Sequence, residues 1–204
     1  MLAVAREIEP SIEWILCSAE ALDVDDAAFD CVISQFGMMF FKDRQGSASE
    51  MFRALKPGGS LAIATWRAVE HNPAYARIIS LMEEQVGRAA ADALRLPYSL
   101  GVAEDVVAVL EGSGFSEVAV DVKAEIAKFP SAHQMVEADL RGWLPLFGVL
   151  LSEEEINRVL IESDKVLDEY VGPLGEVVFP TSAHIFTARK TSLEAAGIQA
   201  RGRR

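Results

Sequence analysis

Three side chains near the middle of the chain have the properties of a pocket for a small molecule. Trp66 ends an apolar run, His71 precedes an Asn-Pro pair, and Tyr98 lies in a loop between two helical patterns. Aromatic walls exclude water from a pocket, and an imidazole can accept a proton from a nucleophile. We therefore expect Trp66, His71 and Tyr98 to bind an acceptor substrate, with His71 as the candidate acid–base residue. The alternative for His71 is ordinary surface beside a helix start.

Loops that follow apolar strands are the second source of candidate residues. In open α/β sheets, ligands bind beyond the carboxyl ends of the strands. Three loops in this sequence follow predicted strands, at residues 17–22, 35–41 and 66–73. We expect them to lie along one rim of the sheet. The simpler alternatives are a plain turn for the first loop and strand-end packing against a helix for the second.

Apolar patterning supplies the elements that would position these loops. A side-chain cap is expected at Asn72, with Pro73 at the first helical position. A capping box is expected at Ser152 and Glu155. Nearly continuous apolar strands separated by helices predict an α/β fold, with a parallel sheet covered on both faces. The predicted strands are 12–17, 29–35, 60–66, 116–128 and 183–190, and the predicted helices are 1–9, 43–56, 72–87, 103–112, 131–141 and 152–170.

The charge of the chain argues against a nucleic-acid partner. There are 31 acidic and 19 basic residues, and the formal net charge is −12. Such a protein repels phosphate backbones unless its basic residues are clustered. The basic cluster of this chain is terminal, at Arg201, Arg203 and Arg204, and we interpret it as a solvated tail.

Other classes of protein are also disfavoured. Charged residues interrupt positions 1–16, and the apolar stretch 143–151 is too short to cross a bilayer, so no membrane partner is expected. Cys17 and Cys31 fall in apparently buried strands without CxxC spacing, which argues against disulfides or zinc and favours a reducing cytoplasm. His133 and His184 lack ligand-spaced partners, so we interpret both as structural and predict no metal.

Several short motifs occur in the order and spacing of one enzyme family. They are AEAL at residues 19–22, FD at 29–30, SQFG at 34–37 and RALKPGG at 53–59. In this order they resemble the class I S-adenosylmethionine-dependent methyltransferases of the ubiquinone/menaquinone-biosynthesis type. The similarity continues through the final predicted strand. The resemblance implies a Rossmann-like methyltransferase sheet and S-adenosylmethionine as cofactor.

The resemblance also implies roles for residues on the rim. By analogy Ser18, Ala19 and Glu20 flank the adenine of the cofactor, and Gln35 and Phe36 face its methionine moiety and methyl group. Family members usually carry an aspartate at the position of Ser18, so one contact to the adenine amino group is expected to be weakened. Phe36 would also contact the acceptor.

The front of the family domain has no counterpart in this sequence. Family members begin with a strand, a GxGxG loop, a helix and a second strand that ends in an acidic residue, whereas residues 1–6 resemble the helix that follows. We therefore expect a truncated methyltransferase domain at 1–190, with a helical insert at 131–170, and a disordered tail at 191–204.

The missing strands would belong between 12–17 and 29–35, which should leave an apolar sheet edge unpaired. We expect strands 29–35, 60–66, 183–190 and 116–128 to keep the family's neighbour order. The segment 12–17 should be displaced, loosely held or paired with 29–35, and the open edge could support a homo-oligomer.

Three functions are compatible with the sequence. The first is a methyltransferase acting on a small molecule, represented by a fragment that binds the cofactor poorly alone. The second is a non-catalytic, methyltransferase-like interaction module that uses the open edge or residues 131–170. The third is a nucleotide-dependent enzyme such as a dehydrogenase, which the post-strand motifs disfavour. Whether the chain is itself an enzyme stays open at this point.

Overall fold

The computed structural model describes residues 1–191, which form an α/β structure with one four-stranded sheet, as the sequence predicted. A π-helical turn at Asp139–Trp143 directly follows the α-helix at Ala132–Ala138. The strands are β1 (Phe29–Gln35), β2 (Leu55–Trp66), β3 (Ser116–Phe129) and β4 (Val177–Arg189). The α-helices are α1 (Leu2–Ile8), α2 (Arg44–Ala54), α3 (Pro73–Gln85), α4 (Arg88–Arg95), α5 (Ala103–Gly112), α6 (Ala132–Ala138) and α7 (Glu153–Val166).

The strand order in the sheet is β1-β2-β4-β3. This is the neighbour order expected for the strands at 29, 60, 183 and 116. The prediction of a wholly parallel sheet is wrong, because only β1 and β2 run parallel, while β4 is antiparallel to both of its neighbours. The chain returns to the sheet after α7 at the end where β2 and β3 stop, so β4 must run back against them.

Two apolar clusters hold helices on the sheet. One joins α3, α4, α6 and α7 to the start of β4 through Val177 and Phe179. The other joins α2 and α5 to β2 and to the far half of β4 through Phe186. The first cluster lies at the end of the sheet where β2 stops, so it supports the loops that follow β2.

The segment 12–17 forms no strand, and the prediction of a buried strand there is wrong. Its side chains are largely exposed, with Leu16 at 83%. Hydrogen bonds hold it to α1 instead: Arg6 donates to the carbonyl of Trp14 at 3.0 Å, and Trp14 Nε1 donates to the carbonyl of Glu9 at 3.0 Å. An apolar run gains strand geometry only from a hydrogen-bonded partner, and β1 pairs only with β2 among the described residues.

The first strand is also more exposed than its sequence suggested. Ile33 is 72% exposed and Phe29 is 43% exposed, because the side of β1 away from β2 has no neighbour in the described part of the chain. The two cysteines placed in buried strands, Cys17 and Cys31, are both exposed free thiols. The prediction that this part of the sheet is buried is therefore wrong.

Asn72 lies where a helix cap was predicted, but its side chain does not cap α3. The residue is fully buried. Its amide oxygen accepts hydrogen bonds from Thr181 Oγ1 at 2.5 Å and from the backbone N–H of Ser182 at 3.3 Å. Its amide nitrogen donates to the carbonyls of Arg67 and Ala68. Asn72 therefore fastens the loop after β2 to β4.

Replacing Asn72 with alanine is expected to lower the free energy of unfolding by about 2 kcal/mol, because buried backbone and hydroxyl groups on two elements lose their partner. Urea unfolding monitored by circular dichroism measures the change. Asn157→Ala is the matched control, since Asn157 is exposed on α7 and should change the value by less than about 0.5 kcal/mol. Equal effects of the two substitutions would contradict this role of Asn72.

Several local features agree with the sequence. Ser131 caps α6, Ser152 and Glu155 form the predicted capping box of α7, and α5 has the predicted bounds. The helix before β2 ends at Ala54, so the KPGG segment belongs to the beginning of β2, with Gly58 at a φ of +81°. No helix within residues 1–191 is long and apolar enough to cross a membrane. The terminal arginines at 201–204 lie outside the described residues.

Candidate functional site

The adjacent ends of β1 and β2 bring two aromatic rings together. Gln35 pairs with Ala64 across the parallel ladder. Just beyond these residues, Phe36 and Trp66 stack with their ring centroids 4.3 Å apart and their planes 19° from parallel. Phe36 has a φ of +52°, in the left-handed region that residues other than glycine rarely adopt. Such backbone geometry often marks a functional position, and here it turns the chain at the rim of the sheet.

A cavity of about 150 Å³ lies against Trp66. Four of its walls are the aromatic rings of Trp66, Tyr75, Tyr98 and Trp143, and Asp139 is the one acidic residue in the lining. Trp143 Nε1 donates to the carbonyl of Ala93 at 2.9 Å, which fixes the indole. The rings of Tyr75 and Tyr98 are 6.0 Å apart at an interplanar angle of 50°.

The loop that carries Tyr98 is fastened to the end of β2. Thr65 Oγ1 donates to the carbonyl of Leu100 at 3.3 Å, and the backbone N–H of Ala68 donates to the carbonyl of Gly101 at 3.3 Å. A side chain at Gly101 would collide with the backbone of Ala68, so glycine is required for this approach. This contact explains why Tyr98 reaches the same cavity as Trp66.

The loop at Ser18, Ala19 and Glu20 is tied to the start of α2. One carboxylate oxygen of Glu20 accepts hydrogen bonds from the backbone N–H groups of Lys42 at 3.0 Å and Asp43 at 3.3 Å. The other oxygen accepts from the hydroxyl of Ser18. The Ser18 hydrogen bond is the largest of the causes that lower the pKa of Glu20 to about 2. The loop is therefore ordered by contacts within the chain.

The eight residues predicted for the site do not all meet. Trp66 and Tyr98 line one cavity, and Phe36 stacks on Trp66 at its edge. Gln35 is exposed at the end of β1 and does not line that cavity. His71 is also exposed, and its Nε2 lies 3.0 Å from Arg67 Nη2 instead of facing the aromatic rings. Ser18, Ala19 and Glu20 are beside the loop that follows β1.

Sequence reasoning missed Tyr75, Trp143 and Asp139. Burial raises the pKa of the Asp139 carboxyl to about 7, and its Oδ2 atom is buried without a hydrogen-bond partner among residues 1–191. Burial, with the negative charge of Asp139 as a further cause, also raises the pKa values of Tyr75 and Tyr98. No local motif marks Asp139. The clustering of Asp139 and Trp143 within one turn was the available signal.

A second group of buried polar atoms lies near His184. The residue was expected to begin the last strand, but it lies in the middle of β4 and is buried. Its Nδ1 and the Nε of Arg67 have no hydrogen-bond partner among the described residues. Burial is the main cause that lowers the pKa of His184, and the charge of Arg67 adds to it. Among residues 1–191, no group of three or more potential ligands is arranged to hold a metal ion.

The described residues fit two sides of a site for an adenosyl cofactor. The ordered loop at 18–20 lies beside the loop after β1, and Phe36 presents an aromatic ring at the end of that strand. The left-handed turn at Phe36 and the exposed end of β1 leave the rim open to a ligand. The 204 residues contain no GxGxG sequence, so the backbone contacts that such a loop would make to the cofactor are not provided by these residues.

Comparison with known proteins places the sequence similarity at the start of the chain. Residues 1–63 match the family model described as a methyltransferase domain. A 69-residue stretch is 39% identical to the ubiquinone/menaquinone biosynthesis C-methyltransferase UbiE of Pasteurella multocida, covering 31% of this chain and 26% of that protein. An uncharacterized protein of Mycobacterium bovis, Mb1440c, is 38% identical over 56 residues, which are 28% of this chain and 20% of the relative. The chain thus spans well under half the length of these relatives.

Solved structures show the same fold over most of the chain. A Bacillus halodurans C-125 protein named as a methyltransferase superposes with a TM-score of 0.57 at 20% identity, covering 94% of this chain and 79% of that one. The YcgJ protein of Bacillus subtilis superposes with a TM-score of 0.53 at 16% identity, covering 94% and 77%. The Rossmann-like sheet with flanking helices is therefore shared with these proteins.

Proposed function

We propose that this chain is a class I S-adenosylmethionine-dependent methyltransferase domain, as the similarity of residues 1–63 and the shared fold suggest, and that it takes part in methyl transfer to a small molecule. One observation carries the proposal. The ring of Trp66 stacks on Phe36 at the rim where the cofactor is expected, and it also lines the cavity where an acceptor is expected. The expected cofactor rim and the expected acceptor cavity are therefore next to each other, since both are bordered by Trp66.

The contribution of the protein to such a reaction is alignment and exclusion of water. S-adenosylmethionine, when bound, supplies an activated methyl group. On this proposal Ser18, Ala19 and Glu20 contact the adenine side, and Gln35 and Phe36 contact the methionine side. Holding two reactants in a dry, fixed geometry removes much of the entropic barrier to transfer.

Trp66 and Tyr98 would bind the acceptor, since both line the cavity. The acid–base role predicted for His71 has the least geometrical support of the proposed roles. Its Nε2 is engaged with Arg67, and its ring does not line that cavity. The acceptor pocket is therefore better described by its aromatic walls than by His71.

We further propose that the 204-residue chain alone binds the cofactor weakly, with a dissociation constant of about 0.1–1 mM for S-adenosylhomocysteine. Two observations support weak binding. The sequence lacks a GxGxG loop, and the outer edge of β1 is exposed, with Ile33 at 72%. That same exposed edge favours the second candidate function, a non-catalytic interaction module that self-associates or pairs with another chain.

A thermal-shift titration tests the proposed function. S-adenosylhomocysteine at about tenfold above its dissociation constant should raise the melting temperature by about 3–6 °C, whereas NAD should leave it unchanged. Phe36→Ala should abolish the shift, because the ring at the end of β1 is lost. Phe147→Ala is the control, since Phe147 is an exposed phenylalanine whose ring contacts that of Trp143, whereas the ring of Phe36 contacts that of Trp66.

The outcomes separate the two candidate functions. No shift at millimolar S-adenosylhomocysteine, together with a stable dimer or larger species in sedimentation, would favour the interaction module over the enzyme. A shift with NAD of equal size would contradict the methyltransferase assignment. Shifts that are the same in Phe36→Ala and in the unchanged chain would remove Phe36 from the cofactor site.

A further inference from the structure

The aromatic cavity contains a carboxyl group that the proposed function does not use. Asp139 begins the π-helical turn at Asp139–Trp143 and lines the cavity together with Trp143. Its Oδ2 is buried and has no hydrogen-bond partner in the part of the chain that the structure describes. A buried acceptor without a partner is rare in native proteins, and each case calls for an explanation such as a ligand group. Short π-helical insertions also recur at functional sites.

We propose that this cavity recognises a small organic ammonium group, which binds between the carboxylate of Asp139 and the faces of the surrounding aromatic rings. The proposal deepens the proposed function and rests on it in one respect, namely that the bound amine is the methyl acceptor. For that transfer the ammonium group would first give a proton to the carboxylate of Asp139, and the free amine would then form an N–C bond as the S–C bond of the cofactor breaks. The recognition itself requires no cofactor. Asp139 is then a specificity-determining residue, and Trp66, Tyr75, Tyr98 and Trp143 form the walls.

The composition of the cavity favours a cation over an anion or a neutral ligand. The faces of tryptophan and tyrosine rings are electron-rich and attract ammonium groups, most strongly where water is excluded. An anion would be repelled both by the same ring faces and by the negative charge of Asp139. A neutral alcohol could donate a hydrogen bond to Oδ2, but it would leave the buried charge without a counter-ion.

The protein does not supply that counter-ion from its described residues. The basic residue closest in sequence, Arg141, forms ion pairs with Glu137 at 2.8 Å and Glu153 at 2.7 Å. Burial is the cause that raises the pKa of Asp139, and burial together with the charge of Asp139 raises the pKa values of Tyr75 and Tyr98. No cationic side chain is among these causes. An ammonium ligand would therefore be the missing partner of the carboxylate.

The walls are positioned before any ligand binds. The indole of Trp143 is fixed by the carbonyl of Ala93, and Trp66 is backed on one side by Phe36. Tyr75 packs edge-on against Phe179 with centroids 6.0 Å apart. Rigid aromatic walls lower the entropic cost of binding, so a small ligand can bind measurably to this cavity. The volume of about 150 Å³ limits the ligand to a small amine.

Binding of three matched probes to the full chain tests the proposal. Benzylamine, benzyl alcohol and benzoate have the same ring and differ in charge. Tryptophan fluorescence reports on Trp66 and Trp143, and a Trp14→Phe background removes the third tryptophan, which lies in the segment beside α1. At pH 8 we expect benzylamine to bind at least about tenfold more tightly than benzyl alcohol, and benzoate not to bind.

Asp139→Asn should weaken benzylamine binding by about tenfold or more and change benzyl alcohol binding by less than about twofold, because only the charge is removed. Asp164→Asn is the matched control, since Asp164 is exposed on α7. In the unchanged chain the benzylamine affinity should fall by about tenfold per pH unit below pH 7, as the carboxyl takes up a proton, and Asp139→Asn should remove that dependence. A residue with a purely structural role would not produce this pH profile.

The outcomes distinguish this proposal from the proposed function. Equal affinities for the amine and the alcohol, or an amine affinity unchanged by Asp139→Asn, would overturn ammonium recognition whatever the cofactor result. Amine binding without any S-adenosylhomocysteine shift would support the recognition site and count against methyl transfer. If Asp139→Asn unfolds, Asp139→Glu gives the second test, since it keeps the charge and should retain preference for the amine.

Discussion

Asp139→Asn is expected to stabilise the protein more at pH 8 than at pH 5, with the stabilisation differing by on the order of 2 kcal/mol between the two pH values. The reason is the burial of a carboxyl group that raises its pKa to about 7. Its ordinary value in an unfolded chain is near 3.8. The folded protein therefore carries a cost for ionising Asp139 that asparagine does not have.

The sign of the effect follows from the protons bound in each state. Between the two pKa values the folded state binds more protons at Asp139 than the unfolded state does, so the free energy of unfolding falls as pH rises. The loss begins near pH 4 and is complete just above pH 7. Asparagine does not titrate, so the variant lacks this decline. The expected magnitude is set below the full value of the shift because the side chain retains partial contact with water.

Other titrating groups contribute with different signs, and a difference between variants removes them. The pKa values of Glu20 and Glu50 are lowered, so their contributions are lost only as pH falls through the acid range. Burial lowers the pKa of His184, so its contribution increases stability as pH rises through the neutral range. Subtracting the urea-unfolding curves of the two proteins at each pH isolates Asp139. Asp164→Asn serves again as control, and a pH-independent difference for Asp139→Asn would mean that the group is ionised at pH 5.

The two effects proposed for Asp139→Asn have opposite directions. The substitution should weaken binding of a small ammonium ion and strengthen the fold at neutral and alkaline pH. A group that lowers stability and sharpens ligand recognition is typical of a functional site. A structural carboxylate would instead have its pKa lowered by a hydrogen bond or an ion pair, as the pKa of Glu50 is lowered by Arg53.

The parts of the fold that the sequence predicted well are determined locally. The capping box at Ser152 and Glu155 involves residues three positions apart, and both of its hydrogen bonds form. The helix α5 ends at Gly112, and Gly114, with a φ of +95°, allows the chain to turn just after it. Such signals do not depend on what the element packs against, so they survive in the folded protein.

The predictions that were wrong concern segments whose secondary structure or direction depends on the element that they pack against. The segment 12–17 has the composition of a strand but no strand beside it, and it lies against α1 instead. The orientation of β4 depends on where α7 returns the chain to the sheet. Composition does not encode that return, so the antiparallel pairing was missed.

In the candidate site, too, some residues could be predicted from the sequence and others depend on contacts with distant parts of the chain. Trp66 and Phe36 were identifiable because residues that follow parallel strands converge on one rim. Asn72 was assigned a local capping role, whereas its amide oxygen is bonded to Thr181 and Ser182 on β4. No local motif marks Asp139, because its properties arise from burial among rings that come from three other segments of the chain.

Phe179→Ala is expected to lower the free energy of unfolding by about 4 kcal/mol. Phe179 is 1% exposed at the start of β4. Its ring contacts those of Tyr75, Phe129 and Tyr170, with centroid distances of 6.0, 6.0 and 6.2 Å. Removing it leaves a cavity where three aromatic rings meet the helices of the first apolar cluster, and the surrounding sheet cannot collapse to fill it.

Urea unfolding measures this loss, and two variants define its origin. Phe179→Leu keeps most of the volume and should cost about 1–2 kcal/mol, while Phe147→Ala removes an exposed ring and should cost less than about 1 kcal/mol. Tyr75 is the link to the site, because it contacts Phe179 on one side and lines the Asp139 cavity on the other. Folded Phe179→Ala protein, studied at low temperature, should therefore bind benzylamine more weakly than Phe179→Leu protein. If the two variants bind the amine equally, the walls of the cavity are held independently of the β4 core.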